Sequence, residues 1–274
     1  MSRHLRRTLP LYRKLHSLNE SVTRSLPAAS CNRQLSSIES STADVAESMQ
    51  SLIKSRRTGT SMVHALEDRK QEEELLVEAI HRAIQCAQMA PNHKRTEPFS
   101  FLQILHSSST SEQVAEIAYQ VAARTKSVPV ARKKKEKWSQ VPAYLVTLVH
   151  ENQANTFSSL DTDSEPPHFE ALPYAPPETE RQLEDYASAS SAIQNVLLSL
   201  HSDGIATKWA TGPVIATPAF RTLIQAKPTD RVAALIMLGG VNSTEFGSDK
   251  EEYLTTARRQ RKRGVDGDLL RNLP

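Results

Sequence analysis

Apolar positions recur along the chain in two rhythms, and the alternation between them lays out the elements. Over residues 70–89, Leu76, Ile80, Ala83 and Ala87 return every three or four positions, which predicts a helix with one buried stripe that Pro91 stops. The short apolar run 99–105 reads as a strand, and after the polar stretch HSSSTSEQ a second helix is expected over about 111–124. A basic run, 132–137, precedes Trp138, and AYLVTLVH (143–150), following Pro142, is a second strand. Residues 151–180 are rich in Pro, Ser and acidic side chains with no sustained period, so a long surface loop is expected there.

Helical spacing returns with Ile193, Val196, Leu197 and Leu200, on a helix predicted to begin near Glu184 and to end before Gly204. Its first half is built of small residues, 187–192, a face that suits either close helix packing or a planar ligand. A strand near 206–211, a short helix at 218–225 and a continuous apolar strand at 232–238 ending in Gly239 and Gly240 complete the pattern. Strands separated by helices, too irregularly for a repeating βαβ array, predict an α+β fold with a mixed sheet flanked by helices. No internal repeat is present.

Composition narrows the class. With 274 residues and 38% hydrophobic content the chain can bury a sizeable core, and no run approaches the roughly 20 apolar residues of a membrane span. The net charge of +3 comes from local clusters, and aromatic residues make up only 5%, so base stacking has little to work with and no nucleic-acid partner is expected. Two cysteines, Cys31 and Cys86, form neither metal-ligand spacing nor a disulfide framework, which suits a reducing compartment.

The first forty residues stand apart. Arg3, Arg6, Arg7, Arg13, Lys14, Arg24 and Arg33 face a single acid, Glu20, before Glu39, among scattered serines. Leu5, Leu9, Tyr12 and Leu15 are spaced for the apolar side of a basic amphipathic helix. Residues 1–40 therefore read as a mitochondrial transit peptide, the alternative being a disordered basic tail on a cytoplasmic protein. The polar stretch 36–51 is a linker or the approach to a first helix, and 41–274 is read as one domain.

Candidate chemistry is sparse. The eight glycines form neither a Walker loop nor a GxGxxG fingerprint, so a phosphate would need side chains. Arg56, Arg57 and Thr58 offer two guanidinium forks and a hydroxyl, although an adjacent arginine pair is also an ordinary solvated feature. The group Arg258, Arg259, Arg261, Lys262 and Arg263 is either a solvated tail or the other side of the same phosphate site. No nucleophile elbow is present, and the histidines lack metal-ligand spacing, so neither covalent nor metal catalysis is indicated. Pro91 and Pro98 bracket a turn in which Asn92, His93, Lys94 and Arg95 offer donors to an electron-rich ring or a phosphate; a plain surface connection would look similar.

Taken in order, KSRRT, APNHKRTEPFSF, the small-faced helix running into GIATKWATG, and VAALIMLGG resemble the flavin-dependent nitroreductase family over about residues 52–264. APNHKRTEPFSF is similar to the APxH....PWxF signature of its small nitroreductase-like subgroup, and WATG to that subgroup's W-[RA]-[ST]-G element. The resemblance implies an intertwined homodimer with FMN in two equivalent interface sites. It assigns Arg56, Arg57 and Thr58 to the FMN phosphate and ribityl chain, and His93 and Glu97 to the turn that approaches the flavin. Trp209, Ala210 and Thr211 would lie along the isoalloxazine, with Arg259 or Arg261 near the phosphate. The stretch Ser199, Leu200, His201, Ser202, Asp203 and Gly204 would meet the nicotinamide nucleotide. The implied activity is hydride transfer from NAD(P)H through the flavin to a nitroaromatic, quinone or similar acceptor, with no protein catalytic residue and no metal. The competing reading is a nitroreductase-like dimer without catalysis, acting as a flavin-binding or protein-interaction module.

Overall fold

A computed structural model describes residues 44–59, 62–150, 169–173 and 176–241. The transit-like segment, most of the 151–180 stretch, and Arg259 and Arg261 lie outside the described residues. The chain divides into two units, Met1–Ser55 and Arg56–Pro274. In the first, residues 44–55 form a helix, α1, whose positions Val45, Met49 and Ile53 recur every four residues and are 65%, 53% and 50% exposed.

The second unit runs α2 (Arg69–Ala87), a 3-10 turn (His93–Arg95), β1 (Phe99–Leu105), α3 (Ser109–Ala123), α4 (Val128–Ser139), β2 (Ala143–His150), α5 (Glu180–Ser202), β3 (Thr207–Ala210), α6 (Pro218–Leu223) and β4 (Asp230–Leu238). The four strands are antiparallel neighbours in the order β1-β2-β4-β3. Among the described residues, parallel pairing enters at one point, the bridge between Thr58 and Thr207 on the outer side of β3. The α+β expectation holds.

Alternation along the strands sends side chains to opposite faces, and each face has its own core. Leu145, Ala234, Ile236 and Leu238 pack with Leu76 and Ile80 of α2 and with Ile193, Val196 and Leu200 of α5. Tyr144, Val146, Leu235 and Met237 pack with Val114 and Ile117 of α3 and with Phe220 of α6. Both outer helices of the first layer have side-chain caps. Asp68 accepts the Lys70 and Gln71 amides at the start of α2, and Thr179 and Gln182 form a capping box at the start of α5. That box begins α5 at Glu180, four residues before the expected start near Glu184.

One helix escapes the periodicity argument altogether. α4 buries a single side chain, Ala131, so its sequence shows no apolar stripe. It is held instead by Pro129 in its first turn, by the Lys134 ammonium 5.3 Å from the centre of the Trp138 ring, and by the Tyr144 hydroxyl donating to the Trp138 carbonyl at 2.6 Å.

Candidate functional site

The residues singled out by sequence gather at the two ends of α5. At its C-terminal end the chain leaves the helix through Gly204, at φ 73°, a left-handed conformation that glycine adopts without a Cβ penalty. Ile205 N–H returns to the Leu200 carbonyl at 2.9 Å, and Asp203 accepts Arg82 Nε and Nη2 at 3.2 and 3.0 Å. Ser202 Oγ donates to the Ser199 carbonyl at 2.7 Å. Leu200 is wholly buried in the core between α2 and α5, so of the 199–204 stretch it is not placed to meet a ligand.

Beside this helix end runs the segment carrying Arg56, Arg57 and Thr58. Thr58 bridges Thr207, and the Gly59 amide donates to the Thr207 carbonyl at 2.8 Å. The approach is close: an added Cβ would displace the terminal methyl of the flexible Met62 side chain and lie 3.1 Å from the Ala206 Cβ. Arg57 Nη1 donates to the Arg56 carbonyl at 2.8 Å. His201 registers the field of the pair, since burial first, then the Arg56 and Arg57 guanidiniums, hold its imidazole below the usual histidine range. Two stretches distant in sequence thus form one cationic corner.

Next along β3, Trp209 is half-buried against the α2/α5 core, and its indole Nε1 is buried with no hydrogen-bond partner. Ala210 points to the other face, and Thr211 lies exposed where the strand ends.

The N-terminal end of α5 holds the turn after α2. His93 Nδ1 lies 2.8 Å from Glu184 Oε1. The Asn92 side-chain oxygen accepts from the Thr96 amide at 3.0 Å and from its hydroxyl at 3.1 Å, and Thr96 Oγ1 also lies 3.2 Å from the buried Asp185. Arg181 Nε clamps the same aspartate at 2.9 and 3.0 Å. This network keeps three non-glycine residues left-handed, Lys94 (φ 59°), Arg95 (φ 52°) and Glu97 (φ 47°). Each costs on the order of 1–3 kcal/mol, and such concentrations mark functional turns. Thr96, Asp185 and Glu184 were not distinguished by the sequence pattern, and Asn92 was expected to offer a donor to a ligand, whereas its side-chain oxygen accepts from Thr96; the local signals were the four-residue spacings Asn92–Thr96 and Arg181–Asp185.

Glu184 and His201 are seventeen residue steps apart in one helix, so the two groups stand about 25 Å apart along it. One chain therefore does not bring His93 and Glu97 to the Arg56–Arg57 corner. A third polar cluster lies elsewhere: Glu72, fully buried, accepts the Ala65 and Leu66 amides at 2.7 and 3.2 Å and meets His64 Nδ1 at 2.5 Å. Among the described residues no group of His, Cys, Asp or Glu is arranged to hold a metal ion, and no helix is long and apolar enough to cross a membrane.

A sequence model described as Nitroreductase family matches residues 70–240. The chain belongs to the nitroreductase family. Among solved structures, a nitroreductase with bound FMN from Bacteroides fragilis superposes with a TM-score of 0.50 at 12% identity, covering 82% of this chain and 98% of that one. A nitroreductase-like protein from Bacillus cereus gives 0.49 at 18% identity over 70% and 84% of the two chains. A nitroreductase-type protein in complex with FMN from Desulfovibrio desulfuricans gives 0.48 at 16% identity over 82% and 96%. A comparison with curated protein sequences matched none. At these identities the Bacteroides likeness speaks for the α+β fold alone, in agreement with the sheet and helix layers described above.

Proposed function

We propose that this nitroreductase-family protein is an FMN-dependent NAD(P)H oxidoreductase working as a homodimer. The observation that carries the reading is the corner where Arg56, Arg57 and Thr58 meet the end of α5 and place His201 in their positive field. The residues fit the cofactor. A phosphate dianion suits two adjacent guanidiniums and a hydroxyl, and a heteroaromatic ring edge suits the buried Trp209 N–H that lacks a partner. When bound, FMN supplies reversible two-electron chemistry, taking hydride from a reduced nicotinamide and passing reducing equivalents to an acceptor.

In this reading Arg56, Arg57 and Thr58 hold the phosphate and ribityl chain, with Arg259 or Arg261 assisting, and Trp209, Ala210 and Thr211 flank the ring. Ser199, His201, Ser202, Asp203 and Gly204 receive the nicotinamide nucleotide. His93 and Glu97 reach the flavin of the partner subunit. The separation of about 25 Å along α5 supports that arrangement, because a two-fold dimer in which the two α5 helices run antiparallel pairs the unlike ends of two copies and makes two equivalent sites. The exposed stripe Val45, Met49 and Ile53 on α1 is further apolar surface for such an interface. The acceptor is a nitroaromatic, a quinone or a similar compound, and the basic 1–40 segment directs the protein to mitochondria.

Purifying the full chain and recording its visible spectrum before and after anaerobic NADPH tests the function. Flavin absorbance that bleaches on reduction is expected. A colourless protein that leaves the fluorescence of added FMN unquenched would overturn the proposal and favour an interaction module. Diffuse cytosolic signal from a fluorescent fusion would remove the mitochondrial assignment.

A further inference from the structure

Between the cationic corner and α2, the five residues 62–66 form neither helix nor strand. They belong to a strap whose far end carries Arg56, Arg57 and Thr58 to β3, and two of its amides are bonded by one side chain. Glu72, wholly buried in the first turn of α2, accepts the Ala65 amide at 2.7 Å and the Leu66 amide at 3.2 Å through Oε1. Its Oε2 lies 2.5 Å from His64 Nδ1. The His64 side chain is 7% exposed, and its ring meets the His106 ring edge-on with centroids 4.5 Å apart. Because His64 Nε2 has no partner, the bond to Glu72 is the one hydrogen bond that ring makes.

The same clasp takes in the end of β4. Gly240 N–H donates to the Val63 carbonyl at 3.0 Å, and a Cβ added at Gly240 would collide with Glu72 Oε1 and with the Ala65 amide. Leu238 faces Thr207, the partner of Thr58, and Gly240 stands two residues further on, at most about 7 Å along the chain. The chain that leads on to Arg259 and Arg261 leaves through this crossing. On the strap's other side, Met62 is buried in the core beside Ala206 and lies against Gly59. The bonds at the corner are backbone bonds, whereas the path behind them rests on one carboxylate. A buried carboxylate is costly unless its oxygens are bonded, and removing its partners or the group itself leaves polar atoms stranded.

We propose that Glu72 is a positioning residue for the cationic corner: its three bonds set the path of the strap, and thereby the register at which Arg56, Arg57 and Thr58 lie against β3. Glu72 itself touches no ligand. That the corner receives the FMN phosphate rests on the flavin reading above; the positioning of the arginines does not. Glutamine at 72 keeps the size of the side chain but offers one acceptor oxygen where the clasp uses two, and its NH2 group faces His64 Nδ1 as a donor against a donor.

Two readouts on the full chain, the NMR titration of His201 without FMN and the quenching of FMN fluorescence, test this in Glu72→Gln and in His64→Ala. Burial and the field of Arg56 and Arg57 hold His201 below the usual histidine range, so a strap that slips from register lets its midpoint rise. In Glu72→Gln a rise of about half a pH unit is expected, with FMN bound roughly tenfold more weakly. Losing a negative charge at 72 would by itself lower the midpoint, so the sign separates movement of the arginines from direct electrostatics. His64→Ala leaves both amide bonds in place and gives a smaller rise; it decides alone if Glu72→Gln does not fold. A Glu72 that serves stability only would lower the melting temperature and leave both readouts where they are. An unmoved or lowered His201 midpoint therefore overturns the inference, however far the melting temperature falls. A raised midpoint in a chain that binds no FMN, altered or unaltered, upholds the positioning and sinks the flavin reading alone. A raised midpoint with unchanged FMN affinity overturns the link between the clasp and the cofactor.

Discussion

The two ends of α5 present their chemistry by opposite means. At the C-terminal end the cationic corner is set by backbone: a single strand bridge, the Gly59 amide, and a helix exit through Gly204. At the N-terminal end the turn is set by side chains, with Asn92, Thr96, Asp185 and Arg181 holding three residues in a left-handed conformation their Cβ atoms oppose. Where backbone sets the path, replacing the functional side chains is expected to disturb the chain less. Where side chains set it, removing one support releases stored strain.

The largest consequence is on cofactor affinity. Replacing Arg56 and Arg57 together by Ala should weaken FMN binding at least about 100-fold, since charge-assisted bonds contribute roughly 1.5–3 kcal/mol each. The melting temperature should hardly move; a large drop would show that the corner is structural and erase the contrast. The reverse holds for Asp185→Ala, expected to cost about 1–3 kcal/mol in denaturant unfolding by stranding Arg181 and loosening Thr96. If that variant unfolds like the unaltered protein, the turn does not depend on its network. Lys94→Gly should stabilise by about 1 kcal/mol, because glycine removes left-handed strain at a smaller entropic cost. No gain would mean that the strain is relieved elsewhere.

The smallest effect is electrostatic. Because the His201 pKa is lowered in the fold, the unfolded chain binds the extra proton first, so this residue's contribution to stability declines as pH falls through about 6.5 and below. Phosphate seated on Arg56 and Arg57 offsets their field and should move the His201 NMR titration upward when FMN is added. An unmoved midpoint would place the phosphate elsewhere.

Legibility followed the physics of each element. The strands 99–105 and 143–150 match their expected bounds because a proline precedes each run and each is short and apolar. α4 was invisible because a helix that buries only Ala131 leaves no periodic trace, and α5 starts early because its capping box sits in a stretch that reads as loop. For the site, Arg56, Arg57 and Thr58 could be named as residue types, but their meeting with His201 depends on a β3 pairing that no local pattern encodes. The Asp185 clamp stayed hidden for a similar reason: an acid at helical spacing from an arginine reads as surface, and only its burial against Thr96 gives it a role.

The Thr58–Thr207 bridge closes roughly 150 residues of chain with one pairing. Loop closure on that scale is deferred until the sheet and helices it docks against exist, so the corner should be the last part of the body to assemble and the first to open. Hydrogen exchange at the Gly59 amide should outrun exchange along β2 and β4, and a ligand held at the corner should slow it selectively. The protein would then gain its most cooperative state only once loaded, with occupancy acting as the final fold-closing step.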